Sequence, residues 1–193
     1  MAKGPQFERD VCRQISLWWS NSQRDDIFWR TPGSGARATA RAKQGKTTFG
    51  QVGDIMSTDP AGQLLTSLIT FELKRGYNSE NVNNIIDRVR SQRKASQLEQ
   101  WLLKLSSANV SPYWALIHKR DRRDPVVYFP TSLFDLLVGE SLAGPALVDT
   151  DKLQFSFRYE VTTPTVLRVT AVNLSDFLRY VSPLHIEGLM PDE

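Results

Sequence analysis

The chain of 193 residues has very little cysteine and histidine: one cysteine, Cys12, and two histidines, His118 and His185. A single cysteine cannot form a disulfide within the chain, so a disulfide framework is excluded and a reducing compartment is expected. The common zinc modules take four Cys or His ligands, and three such residues cannot supply them. Catalytic motifs built on histidine are disfavoured for the same reason.

Long apolar runs are also missing. No segment approaches the run of about 18 apolar residues that predicts a membrane span. The opening sequence Met-Ala-Lys-Gly-Pro lacks the apolar centre of a signal peptide. We therefore expect no membrane segment and a cytoplasmic protein, located in the host cytoplasm if a virus encodes it. The net charge of +3 suits a polyanionic partner without requiring one.

Hydrophobic periodicity predicts an α/β protein. Helical spacing of apolar residues predicts helices over residues 6–20, 92–106, 131–138 and 175–180, with Ser175 as the N-cap of the last one. Alternating or β-branched segments predict strands over residues 27–31, 52–57, 64–74, 113–118, 126–129, 153–160 and 166–173. The tetrapeptide Asp59-Pro60-Ala61-Gly62 suits a type I turn joining the second and third strands.

The order of these elements predicts a mixed central sheet flanked by helices. We expect residues 1–130 to form the core and residues 131–193 to form a C-terminal β-rich extension packed on it, as a single domain overall. A chain of this length is long enough for one domain with a sizeable core.

The sharpest chemical feature is Phe71-Glu72-Leu73-Lys74 in the third predicted strand. Because side chains alternate along a strand, Glu72 and Lys74 project to one face while Phe71 and Leu73 point to the other. Asp54 lies near them if the preceding strand pairs with this one as a hairpin. Two carboxylates with room for water suit a hard cation such as Mg²⁺, with Mn²⁺ as a substitute. The cation would polarise a phosphoryl oxygen, and Lys74 would position water or stabilise charge on phosphorus.

The same residues also have an ordinary structural interpretation. Glu72 and Lys74 can form a surface ion pair that contributes little to stability. Glu8 lies at the margin of the buried stripe of the first helix, where its carboxylate could reach the site on the sheet. An acid near a helix start is also favoured by the helix dipole alone.

Five elements in order resemble one known family. They are Glu8 in the first helix, Arg30-Thr31-Pro32-Gly33-Ser34-Gly35, Gly53-Asp54-Ile55, Glu72-Leu73-Lys74, and Gln97 at the start of the following helix. Across residues 5–118 this arrangement resembles the archaeal-type Holliday junction resolvases of the PD-(D/E)xK nuclease superfamily. The resemblance implies a restriction-endonuclease-like fold. Gly53 stands where the superfamily has a proline, and the segment between Ser34 and Asp54 is longer and more basic than in small resolvases.

The resemblance assigns the catalytic and metal-binding roles. Asp54 and Glu72 would be metal ligands, and Lys74 would be the catalytic lysine. Glu8 would help to hold a metal ion or its water. The metal implied is Mg²⁺, and no small-molecule cofactor is implied.

The resemblance also assigns roles around this centre. Ser34 would complete the site from a loop when DNA binds, and Arg30 would contact the scissile or an adjacent phosphate. Gln97 would orient a water or a metal ligand. Turn formation alone also explains Ser34, and an exposed helix position explains Gln97 equally well.

A basic stretch follows this loop. Residues 33–50 contain no acid and four cations, which are Arg37, Arg41, Lys43 and Lys46. Such a stretch beside a metal site is well placed to follow a phosphate backbone. Arg75 would extend the surface, and so would Arg88, Arg90, Arg93 and Lys94. The alternative is a solvated charged face. No helix-turn-helix or zinc-finger pattern is present, so we expect backbone- or structure-directed binding rather than direct readout of bases.

The leading hypothesis is a metal-dependent endonuclease for branched DNA, acting in recombination or repair as a homodimer whose subunits each cut one strand. A restriction-like, nicking or repair endonuclease on the same fold is the alternative, because the C-terminal extension can supply a new specificity. A third hypothesis is a non-catalytic DNA-binding protein that kept the fold; the intact Asp54, Glu72 and Lys74 argue against it. A compact basic nuclease also suits a virus or mobile element.

Overall fold

The computed structural model describes residues 3–32, 53–87, 95–108, 110–139, 147–160 and 164–189. The helices in these ranges are α1 (Lys3–Trp19), α2 (Gln63–Leu68), α3 (Asn83–Ile86), α4 (Gln97–Ser107), α5 (Thr131–Gly139), α6 (Leu174–Tyr180) and α7 (Pro183–Glu187). The strands are β1 (Phe28–Arg30), β2 (Ile55–Ser57), β3 (Ile69–Arg75), β4 (Tyr113–Lys119), β5 (Val126–Pro130), β6 (Lys152–Glu160) and β7 (Pro164–Asn173). None of the described helices is long and apolar enough to cross a membrane.

The strands form a large mixed sheet and a small antiparallel one. The large sheet has five strands in the order β3-β4-β5-β7-β6. β3 and β4 run parallel, with α4 in the connection between them, and the other neighbours are antiparallel. β1 and β2 pair antiparallel beside it. The predicted α/β fold with a mixed central sheet flanked by helices is therefore confirmed.

α1 covers the part of the sheet that carries the candidate site. Its buried residues Phe7, Val11 and Ile15 recur every four positions and form one apolar face. That face joins a core that also contains residues of β1 and β3. The buried Ser16 hydroxyl accepts a hydrogen bond of 2.9 Å from the Phe28 N–H. The start of β1 is thus fixed to the helix.

The C-terminal elements belong to the same sheet and the same core. β7 lies between β5 and β6, so the last long strand is an interior strand. Val172, Phe177 and Ile186 are buried in the core cluster that also contains Ile15 and Phe129. The rings of Phe129 and Phe177 lie 5.5 Å apart. A continuous apolar core therefore joins residues from both ends of the sequence.

The predicted strand over residues 64–74 is wrong in its first half. Residues 64–68 lie in α2, and the strand begins only at Ile69. Leu65 and Leu68 are buried at helical spacing, and periodicity cannot tell a short apolar run in a strand from one in a helix. The turn at residues 60–62 is a short 3₁₀ helix, capped by the Asp59 carboxylate.

The starts of three predicted helices also differ, and α1 begins at Lys3 rather than at residue 6. The N-cap of α6 is Asn173, whose side-chain oxygen accepts from the Ser175 N–H at 2.9 Å, so the prediction of Ser175 is wrong by two residues. α4 begins at Gln97 after the N-cap Ser96, later than predicted. At the start of α6, both Asn173 and Ser175 have side chains able to cap, and residue type alone does not choose between them.

Candidate active site

Asp54 joins the small sheet to the large one. Its carbonyl oxygen accepts from the Thr31 N–H at 2.9 Å, and its own N–H donates to the Phe71 carbonyl at 2.7 Å. Its carboxylate accepts from the Leu73 N–H at 2.8 Å. The residue is only 8% exposed. Asp54 therefore reaches β3 by its own backbone and side chain, whereas β2 pairs with β1 and the predicted hairpin with β3 is not formed.

Gly53 explains why the chain can approach β3 so closely. Its φ is +79°, and a Cβ at this position would lie 2.4 Å from the Phe71 carbonyl oxygen. Proline, which holds φ near about −65°, cannot take this conformation. The glycine in place of the superfamily's proline is thus tied to the way Asp54 is held.

Glu72 and Lys74 lie side by side on β3, as alternation predicts. Lys74 Nζ is 2.5 Å from Glu72 Oε1, and the exposed Lys104 Nζ lies 3.8 Å from the same oxygen. Phe71 and Leu73 point into the core. Leu73 lies between Glu72 and Lys74, and its N–H binds the Asp54 carboxylate. The Asp54 carboxylate is therefore held against the same short stretch of β3 that carries Glu72 and Lys74.

An aromatic cluster supports the lysine. Lys74 Nζ lies over the Trp101 ring, 5.8 Å from its centroid. The same ring meets His118 at 5.5 Å and Tyr77 at 4.8 Å, both edge to face. The His118 Nε2–H donates to the Gly76 carbonyl at 3.0 Å. Burial lowers the pKa of His118, so the imidazole is neutral at physiological pH.

Sequence reasoning missed Trp101 and Lys104. Together with Gln97 they occupy positions i, i+4 and i+7 of α4, which is one face of a helix. This spacing was a usable signal. The spacing does not predict which residues this face contacts, because only the packing of α4 against the sheet brings it to Glu72 and Lys74.

Glu8 lies within the electrostatic reach of the site. Its carboxylate pairs with the Arg30 guanidinium at 3.2 Å. Burial raises the pKa of Glu8, and the nearby Asp54 carboxylate raises it further against the opposing effect of Arg30. Burial, aided by both carboxylates, raises the pKa of the neighbouring Cys12 to about 12. Cys12 is therefore a neutral thiol, fully buried in the core.

The remaining predicted residues fall into two groups. Arg75 pairs with Asp121 at 3.0 Å, and Gln97, the first residue of α4, is partly exposed. The predictions for Ser34, Arg37, Arg41, Lys43, Lys46, Arg88, Arg90, Arg93 and Lys94 lie outside the described residues.

The carboxylates of the site fit a hydrated divalent cation better than a closed metal cage. Among residues that the structure describes, no group of three or more His, Cys, Asp or Glu side chains is placed to hold a metal ion. Mg²⁺ does not need one, because it keeps several waters and binds through one or two carboxylates and the substrate's phosphates. Asp54 and Glu72 supply hard oxygen donors of that kind.

Comparison with known proteins agrees with this arrangement. The model of a family described as phage putative PDDEXK endonuclease matches residues 1–186. No significant match was found among curated proteins or among solved structures. The match supports a nuclease of phage association, and PDDEXK nucleases generally use divalent metals. The fold, the order of the motifs and this nearly complete match lead to one conclusion: the chain belongs to the phage putative PDDEXK endonuclease family.

Proposed function

We propose that this chain is a Mg²⁺-dependent endonuclease that cuts branched DNA, in the manner of a Holliday junction resolvase. The observation that carries the proposal is the way Asp54 is held against the stretch of β3 that carries Glu72 and Lys74. Three hydrogen bonds, two from the backbone and one from the side chain, fix the residue that carries this carboxylate. Such preorganisation is what an active site needs and a surface ion pair does not.

The residues divide the chemistry of phosphodiester hydrolysis among them. Asp54 and Glu72 would hold the divalent cation, which when bound polarises a phosphoryl oxygen and lowers the pKa of a water. Lys74 stabilises the negative charge that grows on the phosphoryl group as water attacks phosphorus and the bond to the leaving sugar oxygen breaks. Glu8 holds the water from the side of α1, and Gln97 orients it or a metal ligand from the start of α4.

DNA would reach the site along basic residues. Arg30 contacts the phosphate beside the scissile one, Ser34 completes the site, and Arg75 continues the path past Lys74. The basic stretch with Arg37, Arg41, Lys43 and Lys46 follows the backbone. A four-way junction has two-fold symmetry, so two subunits related by a two-fold axis would each cut one strand.

The experiment compares cleavage of a four-way junction, a flap, a plain duplex and a single strand, each with Mg²⁺, Mn²⁺ or EDTA. Asp54→Asn is the best variant, because asparagine keeps an oxygen that accepts from the Leu73 N–H. Asp135→Asn, on the exposed side of α5, is the matched control. The expected result is paired symmetric nicks near the junction, which are absent in EDTA and in Asp54→Asn.

Other outcomes decide between the alternatives. Equal cutting of plain duplex would replace the resolvase by a restriction-like, nicking or repair enzyme. Tight binding of DNA without cleavage in either metal would leave a non-catalytic DNA-binding protein. Sedimentation of the free and the junction-bound protein tests the homodimer, and a monomer in both states would contradict it.

A further inference from the structure

The site opens towards a surface that the cleavage chemistry does not use. Because β3 and β4 run parallel, with Lys74 opposite His118 and Arg75 opposite Lys119, both strands end at the same edge of the sheet. The chain leaves β3 through residues 76–80 and leaves β4 through residues 120–124. We call these two segments the strand-end platform.

The two segments of the platform are joined by a network of hydrogen bonds. The Gly76 N–H donates to the Lys119 carbonyl at 3.0 Å. Asn78 and Asp121 exchange two hydrogen bonds, one from the Asn78 amide to the carboxylate at 3.1 Å and one from the Asp121 N–H at 2.7 Å. Arg75 binds the other oxygen of the same carboxylate at 3.0 Å. The platform is thus held in one arrangement before any ligand arrives.

Tyr77 stands exposed on this platform. It is 53% exposed, although the packed face of α4 lies beside it. Its φ is +51°, a conformation that tyrosine rarely adopts and that costs free energy. The ring meets Trp101 edge to face at 4.8 Å, and Trp101 also lies under Lys74. The fold therefore presents a large, orientated aromatic side chain to solvent next to the candidate catalytic lysine.

The platform carries exposed basic side chains. It contains three basic residues, which are Arg120, Arg122 and Arg123, and three acidic ones, of which Glu80 accepts a hydrogen bond from the Leu98 N–H at 3.0 Å. One of the acids, Asp121, is already bound by Arg75 and Asn78. Arg122 and Arg123 are exposed at the tip of the turn. Both arginines follow Asp121, which is hydrogen-bonded to Asn78, the residue after Tyr77. An aromatic platform combined with basic side chains is how proteins hold a single nucleic-acid strand.

We propose that the strand-end platform binds an unstacked nucleotide of the DNA substrate, with the base stacked on Tyr77 and its phosphates held by Arg122 and Arg123. The inference rests on the proposed function, since it takes Lys74 to face the scissile phosphate. Inside a duplex each base is covered by its neighbours on both faces. Only a base at a branch, flap or end can offer a face to Tyr77, so the platform selects DNA with an uncovered base beside the cut.

The test measures binding and not cleavage, with the full chain in EDTA. The probes are a duplex that carries a short unpaired arm and the same duplex with the arm fully paired, with a fluorescent base analogue as the first unpaired base. The variants are Tyr77→Ala, which removes the ring, and Tyr77→Phe, which retains it. Leu184→Ala, at another strongly exposed position, is the matched control. Arg122→Glu is compared with Arg13→Glu on the exposed face of α1.

The wild type is expected to prefer the armed duplex and to quench the base analogue by stacking. Tyr77→Ala should weaken binding of the armed duplex about tenfold, as loss of a stacked base does, and leave the paired duplex unaffected. Tyr77→Phe and Leu184→Ala should behave as wild type. Arg122→Glu should weaken binding of the armed duplex more than Arg13→Glu does.

Equal affinity of the wild type for both probes, or an equal loss on both in Tyr77→Ala, would overturn the inference. Its failure is separable from failure of the proposed function. If the protein cuts junctions but shows no Tyr77-dependent preference, only the platform inference is wrong. If it shows this preference but cuts no DNA, only the proposed nuclease function is wrong.

Discussion

Residues 53 and 54 act as one unit, because the first creates the approach that the second uses. Gly53 has a positive φ and lies against the Phe71 carbonyl, and Asp54 then reaches both neighbouring strands. Gly76 also has a positive φ but has open space where a Cβ would be. Substitutions at the two glycines can therefore separate the cost of backbone strain from the cost of steric overlap.

We predict that Gly76→Ala lowers the free energy of unfolding by about 1 kcal/mol, the cost of the left-handed backbone alone. Gly53→Ala should lower it by about 2–4 kcal/mol, because overlap adds about 1–3 kcal/mol to the same strain. Denaturant unfolding of both variants measures the difference. Equal losses would show that the Phe71 carbonyl moves aside freely.

Glu8 gives the chain a predictable pH dependence. Its pKa is raised in the folded state, so the folded protein binds this proton more tightly than the unfolded chain does. Stability associated with Glu8 is therefore present at low pH and is lost as pH rises through the interval between the ordinary and the raised pKa. Without DNA or metal, Glu8→Gln should gain thermal stability relative to wild type as pH rises.

Melting temperatures of wild type and Glu8→Gln across acidic to neutral pH test this expectation. Glu187→Gln, an exposed change on α7, controls for the general loss of one carboxylate. A difference that stays constant with pH, or that turns against the variant as pH rises, would contradict a raised pKa at Glu8.

At the scale of elements, α4 is the support of the site. Trp101 holds the Lys74 ammonium over its ring, while the adjacent Leu102 is fully buried and belongs to the core beneath α4. Of the two, Trp101 is the one whose ring lies under the Lys74 ammonium. Their substitution therefore distinguishes support of the lysine from general stability.

We predict that Trp101→Ala and Leu102→Ala both destabilise the fold, by about 3–5 and about 2–5 kcal/mol respectively. Only Trp101→Ala should also reduce cleavage by the folded protein, and Trp101→Phe should restore most of it because an aromatic face remains under Lys74. Cleavage is measured at a temperature where each variant is folded. Equal loss of cleavage in Leu102→Ala would assign α4 a purely structural role.

Most elements were predictable from periodicity, including short ones such as β5 and α5, but a short run of mixed pattern was not. The stripe Phe7, Val11 and Ile15 places α1, and the alternation around Glu72 and Lys74 places the face of β3. The run at residues 64–68 was misassigned because five apolar-rich residues fit either period. The hydrogen bonds that Asp54 makes with Thr31 and β3, and the approach of Trp101 to Lys74, depend on tertiary contacts that no local pattern encodes.

For the whole molecule, we propose that residues 131–193 and the nuclease core fold as one unit. β7 covers the edge of β5, and Val172, Phe177 and Ile186 complete the core around Ile15. A chain ending at residue 146 would expose that edge and remove these apolar groups from the core.

We therefore expect the chain ending at residue 146 to lack a cooperative thermal transition, while a chain ending at residue 189 keeps the transition of the full protein. Circular dichroism and calorimetry measure both. A cooperative transition in the shorter chain would show that the N-terminal part is an independent domain.

The hydrogen bonds of Asp54 also affect how this family would change in evolution. A lineage that stopped cutting DNA would lose selection on Lys74 and Glu72, which could drift without disturbing the packing of the sheet. It would still favour Asp or Asn at position 54, because a side-chain oxygen there accepts from the Leu73 N–H of β3. Among divergent relatives, retention of the lysine is therefore a better sign of a working enzyme than retention of the aspartate.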